Sequence, residues 1–407
     1  MNLYPHQEKV LNDTVAFNRV AYYLDMGLGK TYVGSEKMRE LNTPYNLVIC
    51  QKSQVAYWVN HFKTYYDYNV IVLDKQSISE IPEDSVLVVN YERAWRRPEL
   101  LNLRDFTLML DESSKIKNES SNQSKFILKL KAKNVILLSG TPTGGKYEEL
   151  WSQLHLLGWN ISKKLFLKQY VIQEWNSRNQ RNVIKGYKNV ERLKSKLKQH
   201  GAIFMKTDEV FDLPVVNEQV VRIGCTKLYK EFEKHHIVEV NGEEIIGDTA
   251  TTKKLYLRQL SGCYNENKLQ YVKDLIDSTN DRIIIFYNFK KEYELLKGLI
   301  TKPLSIINGD VKDLSAYETF TNSVTLIQYQ AGAMGLNLQK ANKIIYFTLT
   351  DKSELFEQSK KRIHRIGQGR PCFYYYLLTD KSIEWRMLEV LKERKDYTDE
   401  LFEKEEM

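Results

Sequence analysis

Four cysteines in 407 residues, Cys50, Cys225, Cys263 and Cys372, are too few and too scattered for a disulfide framework. No CxxC pair exists, so a zinc site is not expected. Reduced, buried or surface thiols fit a cytoplasmic protein. Only 8 prolines and 19 glycines occur, which excludes long disordered linkers. No apolar run reaches membrane length, and the start, MNLYPHQEKV, holds no apolar signal core. No membrane partner is therefore expected. Repeats at solenoid periods are also missing.

What remains is a globular composition, 42% hydrophobic and 28% charged, long enough for two domains with separate cores. The net charge of +8 suits a polyanionic partner, although many basic proteins bind nothing acidic. Tyrosine is abundant, at 26 residues, and the lysine-, asparagine- and tyrosine-rich composition fits a bacterial or phage source.

Short apolar runs alternate with amphipathic stretches. Strands are expected at Val20–Leu24, Leu47–Cys50, Val70–Leu73, Val86–Asn90, Thr107–Leu110 and Val135–Leu138. A second series follows at Ile283–Tyr287, Leu304–Ile307, Thr325–Tyr329, Lys343–Phe347 and Cys372–Leu378. The pattern predicts an α/β fold of two parallel-sheet lobes with helical insertions. The expected divisions are 1–158 for the first lobe, 159–214 for a basic helical linker, and 215–407 for the second lobe. Ser162 to Lys206 carries Lys163, Lys164, Lys168, Arg178, Arg181, Lys185, Lys188, Arg192, Lys194, Lys196 and Lys198. A solvated helical face and a nucleic-acid contact both explain such a run. The acidic tail, Asp399 to Glu406, reads as a frayed helix end.

The most informative stretch is LDMGLGKT, Leu24 to Thr31. A strand, a glycine turn and a helix start make a phosphate cradle, because backbone N–H groups close on an anion at a helix N-terminus. Lys30 would reach the β- and γ-phosphates and the Thr31 hydroxyl would ligate Mg²⁺. The leading glycine of the usual pattern is Leu24 here. No second glycine-lysine loop occurs in the other half. At LMLDESSKIKN, Asp111 ends an apolar run and can hold Mg²⁺, while Glu112 is placed to polarise an attacking water. A solvated acidic turn is the plainer explanation of that pair. In LLSGTPTGG, Leu137 to Gly145, small hydroxyl residues could bond a phosphate or simply form a strand-to-helix turn. In EQSKKRIHRIGQ, Gln358, Arg362 and Arg365 stand at i, i+4 and i+7, which would put them on one helix face. Two guanidiniums there could neutralise charge on a γ-phosphate. A basic surface helix would look the same.

With these motifs on the page, the chain resembles superfamily 2 helicase-like ATPases of the Swi/Snf chromatin-remodelling type. LYPHQ (Leu3–Gln7), LVICQKS (Leu47–Ser53), VVNYERA (Val88–Ala94), MKTDEVFDLP (Met205–Pro214), RIIIFYNF (Arg282–Phe289), QAGAMGLNLQKA (Gln330–Ala341) and RIHRIGQ (Arg362–Gln368) carry the resemblance over nearly the whole chain. It implies two RecA-like lobes with ATP between them and double-stranded DNA across both. It implies Gln7 on adenine, with Met26, Gly27, Leu28, Gly29, Lys30 and Thr31 around the nucleotide. Lys30, Thr31, Asp111 and Glu112 would be the hydrolytic site, and Arg362 and Arg365 the fingers. Lys52, Ser53, Tyr91, Thr141 and Gly332 would lie along a DNA strand, mostly as phosphate contacts. The chain departs from the family at Leu24-Asp25, where Asp-Glu is usual, at Ser114, where histidine is usual, and at TLTDKSELF, Thr348–Phe356. The implied activity is ATP-driven movement on duplex DNA or remodelling of DNA-bound protein, by a monomer. A strand-separating helicase, a DNA-binding module with little turnover and a small-molecule kinase are the alternatives. The last leaves the paired arginines poorly explained.

Overall fold

Nearly every apolar run becomes a strand, usually a residue or two longer than its hydrophobic stretch. The computed structural model describes residues 2–74, 81–177, 180–332 and 335–402. Arg178, the Arg181 side chain, Ala333 and Met334 of the glycine-rich motif, and the tail beyond Phe402 lie outside the described residues. The chain forms two compact units, one of residues 1–210 with 396–407 and one of residues 211–395.

In the first unit the strands are β1 (Arg19–Leu24), β2 (Tyr45–Cys50), β3 (Asn69–Val72), β4 (Ser85–Asn90), β5 (Phe106–Asp111) and β6 (Asn134–Ser139). An antiparallel hairpin, β7 (Val171–Asn176) and β8 (Arg181–Tyr187), and then β9 (Ala202–Met205) follow. The main sheet has seven strands in the order β3-β4-β2-β5-β6-β1-β9, all parallel. β4 and β6 are buried throughout, whereas β3 lies at the edge and is partly exposed. Parallel strands covered on both faces must be apolar along their whole length, which is why they were legible as unbroken runs. Helices α1 (Pro5–Asp13), α2 (Lys30–Leu41) and α3 (Val55–Tyr65) belong to the same unit. One apolar core runs from Ala21 on β1 through Leu108 on β5 to Phe166 and Leu197.

In the second unit the strands are β10 (Val216–Ile223), a hairpin of β11 (Ile237–Val240) and β12 (Glu243–Ile246), β13 (Ile283–Tyr287), β14 (Leu304–Ile307), β15 (Lys312–Asp313), β16 (Val324–Gln328), β17 (Lys343–Tyr346) and β18 (Cys372–Thr379). Its seven-stranded sheet runs β10-β18-β17-β13-β16-β14-β15, parallel except where β15 returns against β14. β10 was not foreseen, because an edge strand with the mixed sequence VNEQVVRI is mostly exposed and lacks an apolar run.

Two expectations change. The basic stretch 162–206 is not all helix: Lys163–Tyr170 and Val190–Gln199 are helical, but the hairpin lies between them and β9 joins the main sheet. Val171, Ile172, Val183 and Ile184 are β-branched, and Glu174 pairs with Lys185 across the hairpin at 3.6 Å. Residues 159–210 thus cluster with the first unit rather than standing apart as a linker. The tail does not fray at Asp399. The last helix runs Ile383–Phe402, and Leu401 and Phe402 are buried in the first unit's core. The Tyr147 hydroxyl donates to the Tyr397 carbonyl at 3.0 Å, which fixes that end.

Candidate active site

Because β5, β6 and β1 are parallel neighbours, their carboxyl ends meet on one edge of the first sheet. The glycine loop follows β1, the acidic pair follows β5 and the Ser139–Gly145 turn follows β6. Ligands of parallel sheets bind at such edges.

Gly27 and Gly29 have φ of 94° and 77°, the left-handed region in which a side chain would be strained. Gly29 caps α2, and a Cβ there would stand 2.0 Å from Gln7 Nε2, so a side chain would also displace that amide. Leu24 replaces the usual first glycine without conflict: it is the last residue of β1, paired with Met205 and wholly buried. Lys30 opens α2, and its ammonium donates to the carbonyls of Leu24 at 2.9 Å and Asp25 at 3.2 Å. Thr31 is half-buried in the first turn. Asp25 Oδ1 accepts from the Met26 N–H at 2.8 Å, and Oδ2 from the Thr207 hydroxyl at 3.0 Å. Gln7 is buried against the loop; its Nε2 donates to the Leu28 carbonyl at 3.1 Å and its Oε1 accepts from the Tyr4 N–H.

Asp111 sits at the end of β5, where burial raises its carboxyl above the ordinary value, opposed by the Trp58 hydrogen bond and the Lys30 charge. The Trp58 indole donates to Asp111 Oδ2 at 2.9 Å. Glu112 has φ of 55°, uncommon for a non-glycine residue and a cost of about 1 kcal/mol. The Ser139 hydroxyl donates to Glu112 Oε2 at 3.4 Å and accepts from the Thr141 N–H at 3.1 Å. A Cβ on Gly140 would lie 3.2 Å from Lys30 Nζ, so the β6 turn closes directly on that lysine. Cation, carboxylates and backbone donors therefore converge within one unit.

Hydroxyl and carboxylate oxygens at Thr31 and Asp111 are the hard donors that Mg²⁺ takes. Among the described residues no cluster of three or more His, Cys, Asp or Glu could hold a metal.

The residues expected along DNA divide. Lys52 and Ser53 are exposed in a short turn after β2. Tyr91 is not on the surface: its ring is buried and its hydroxyl donates to the Asp111 carbonyl at 2.9 Å, so it braces the acidic strand end. Gly332 is buried as well, and a Cβ would meet Ile327 at 2.8 Å, so packing explains it. Thr141 is partly buried, with its hydroxyl inside. In the basic stretch Lys164, Lys168, Lys188, Arg192 and Lys198 are exposed, but Lys194 is buried and bonded to Glu191 at 2.9 Å.

Arg362 and Arg365 do not share a helix face. The helix Ser353–Lys360 ends before them. The Ser359 hydroxyl bonds back to the Phe356 carbonyl, and the Arg362 N–H takes the Ser359 carbonyl at 3.2 Å, which tightens the chain out of the helix. Arg362 is 1% exposed, with its carbonyl accepting from the Leu338 N–H at 3.0 Å. Arg365 is partly open, and burial lowers its guanidinium pKa. Gln368 ties this stretch to Ala341 at 2.8 Å. Trp58, Thr207 and Gln153 (a buried amide described below) escaped sequence reasoning, because nothing local marks them.

Comparison with known proteins agrees with this geometry. Residues 23–269 match the family model of the SNF2-related domain, and residues 267–367 that of the helicase conserved C-terminal domain. The chain is 24% identical over 423 residues to the SWI/SNF-related matrix-associated actin-dependent regulator of chromatin subfamily A member 1 of Mus musculus, covering 90% of this chain and 40% of that protein. It is 25% identical to the ATP-dependent DNA helicase DDM1 of Arabidopsis thaliana, over 89% of this chain and 56% of that one. It is 27% identical to the ISWI chromatin-remodeling complex ATPase ISW2 of Saccharomyces cerevisiae, over 90% and 37%. The chain thus spans about 40% of the length of most of these relatives. Among solved structures it is similar to the Sulfolobus solfataricus SWI2/SNF2 ATPase core in complex with dsDNA, at 21% identity and a TM-score of 0.45, covering 98% of this chain and 92% of that one.

Proposed function

The chain belongs to the SNF2-related family, and from that premise we propose that it is a DNA-dependent ATPase that moves on double-stranded DNA or remodels DNA-bound protein. The observation that carries this is the convergence of Lys30, Asp111 and Glu112 at one sheet edge, with Gly140 against the lysine. Lys30 would hold the β- and γ-phosphates, and the N–H groups of Gly27 to Thr31 would cradle them. Thr31 and Asp111 would hold Mg²⁺, which supplies charge neutralisation on the phosphates when bound. Glu112 would orient and deprotonate the attacking water. Gln7, already seated on the loop, would read adenine.

Arg365, the more open of the two arginines, is the better finger; Arg362, being buried, would act from a fixed place or hold the turn. Lys52 and Ser53, exposed on the first unit, would supply phosphate contacts. Such contacts carry no sequence information, so turnover should depend on duplex length and not on base sequence.

The test is ATP turnover with duplex DNA, single-stranded DNA, RNA and no nucleic acid, with strand-displacement assays beside it. Duplex stimulation, with ATP-dependent displacement of a third strand from a triplex, is expected. Efficient unwinding of a duplex with a single-stranded overhang, without duplex stimulation, would favour a strand-separating helicase instead.

A further inference from the structure

One buried amide joins the three strand ends that carry the chemistry. Gln153 lies on the helix Trp151–Leu156 and is wholly buried. Its Oε1 accepts from the Ser113 hydroxyl at 2.7 Å and from the Tyr23 hydroxyl at 3.1 Å. Its Nε2 donates to the Pro142 carbonyl at 2.8 Å. Tyr23 is on β1 just before the glycine loop, Ser113 follows Glu112, and Pro142 is in the turn after β6. Leu150, just before that helix, and Leu154 on it are fully buried and apolar. A leucine at 153 would satisfy the core's need for apolar volume, so the amide is there for its bonds.

Those bonds meet a specific need. Glu112 is held with φ of 55°, and strained backbone persists only where its surroundings over-determine it. Tyr91 fixes one side through the Asp111 and Glu112 carbonyls. Ser113, fixed by Gln153, holds the other. The same amide grips Pro142, and the Ser139 hydroxyl at the start of that turn reaches the Glu112 carboxylate.

We propose that Gln153 is a positioning residue for Glu112, acting through Ser113 on its backbone and through the Ser139–Pro142 turn on its carboxylate. This rests on the ATPase assignment. Any displacement of the turn is passed by Gln153 to Glu112, so the amide also links that turn to hydrolysis.

The test compares the native chain with Gln153→Leu, Ser113→Ala and the double variant. kcat is measured at saturating ATP and duplex DNA, and nucleotide affinity with a fluorescent ATP analogue. Gln153→Leu should lower kcat by roughly ten- to hundredfold, the scale of misplacing a catalytic group by about 1 Å. Nucleotide affinity should stay within about twofold, because none of the Gln153 bonds reaches the phosphate-loop residues themselves. Ser113→Ala should lower kcat less, and the double variant no further than Gln153→Leu, since the Ser113–Gln153 bond is already lost when Gln153 is replaced. Losses that multiply in the double variant, a fall in affinity matching the fall in kcat, or kcat within about twofold of native would each overturn the proposal. Should Gln153→Leu fail to fold, Ser113→Ala decides by the same kcat and affinity criteria. A native chain without turnover on any nucleic acid would overturn the ATPase assignment and this proposal with it. A native chain that hydrolyses ATP beside indifferent variants overturns only this proposal.

Discussion

The carboxyl edges of the two sheets are built on one plan and filled in opposite ways. In the first unit the loops after β1, β5 and β6 leave Lys30, Asp111 and Glu112 partly open. In the second unit the corresponding edge is closed by its own charges. Lys268 and Glu384 are buried together at 2.7 Å, and Lys268 also donates to the Phe347 carbonyl just past β17. Glu292 is buried too: one oxygen accepts from the N–H groups of Asn288 and Phe289 and from the Thr348 hydroxyl. Its other oxygen has no hydrogen-bond partner among the described residues, and burial pushes its carboxyl up to about 7. An edge whose charges stay part-exposed can meet a charged ligand. One whose charges pair internally spends them on the fold.

Four experiments would break or sharpen that contrast. Lys30→Ala should lower kcat by roughly 10³-fold or more, the scale of removing a cation from a transferring phosphoryl group, while duplex affinity by fluorescence anisotropy stays near native. Substantial turnover by a folded variant would remove the first edge from the chemistry. Glu384→Gln in the second unit should do the reverse. Leaving Lys268 buried without its anion should cost about 3–5 kcal/mol of stability, read from urea midpoints. An unchanged midpoint would mean that the pair does not hold that edge.

Glu292→Gln tests the same edge through pH. A carboxyl raised from 4.5 to about 7 by burial binds its proton more tightly in the folded state. Stability from that proton is present below pH 4.5 and is lost as pH rises through about 7, worth about 3 kcal/mol between pH 5 and pH 8. The glutamine variant should lose that slope; melting curves at both pH values with the native slope retained would refute it. The smallest effect is expected for Tyr91→Phe, which removes the hydroxyl shared by the Asp111 and Glu112 carbonyls. It should cost about 1 kcal/mol and leave duplex affinity unchanged. Weaker binding by a folded variant would return Tyr91 to the DNA-facing surface.

Much was written in the sequence, and for local reasons. Strands buried on both faces must be apolar runs, and hydrophobicity alone located eleven strands, most of them of that kind. Gly27 and Gly29 announce the loop because only glycine takes their backbone without strain. The carboxylates at Asp111 and Glu112 were legible because a charge straight after an apolar strand has to emerge at its end. Periodicity failed where competing local bonds set the chain. Gln358, Arg362 and Arg365 have helical spacing, but the helix stops at Lys360. The basic stretch has lysines at helical intervals, yet its β-branched residues pair as a hairpin.

Tertiary structure alone decided which side chains serve the site without touching it. Trp58 meets Asp111 from 53 residues away, Gln153 meets Ser113 from 40, and Thr207 meets Asp25 from 182. It also decided that Tyr91 and Gly332 face inward. Phosphate loops and strands follow from the φ preferences and burial of neighbouring residues, which a sequence states directly. A buried hydrogen bond between distant residues depends on which strands lie side by side, and that order is set only when the sheet forms.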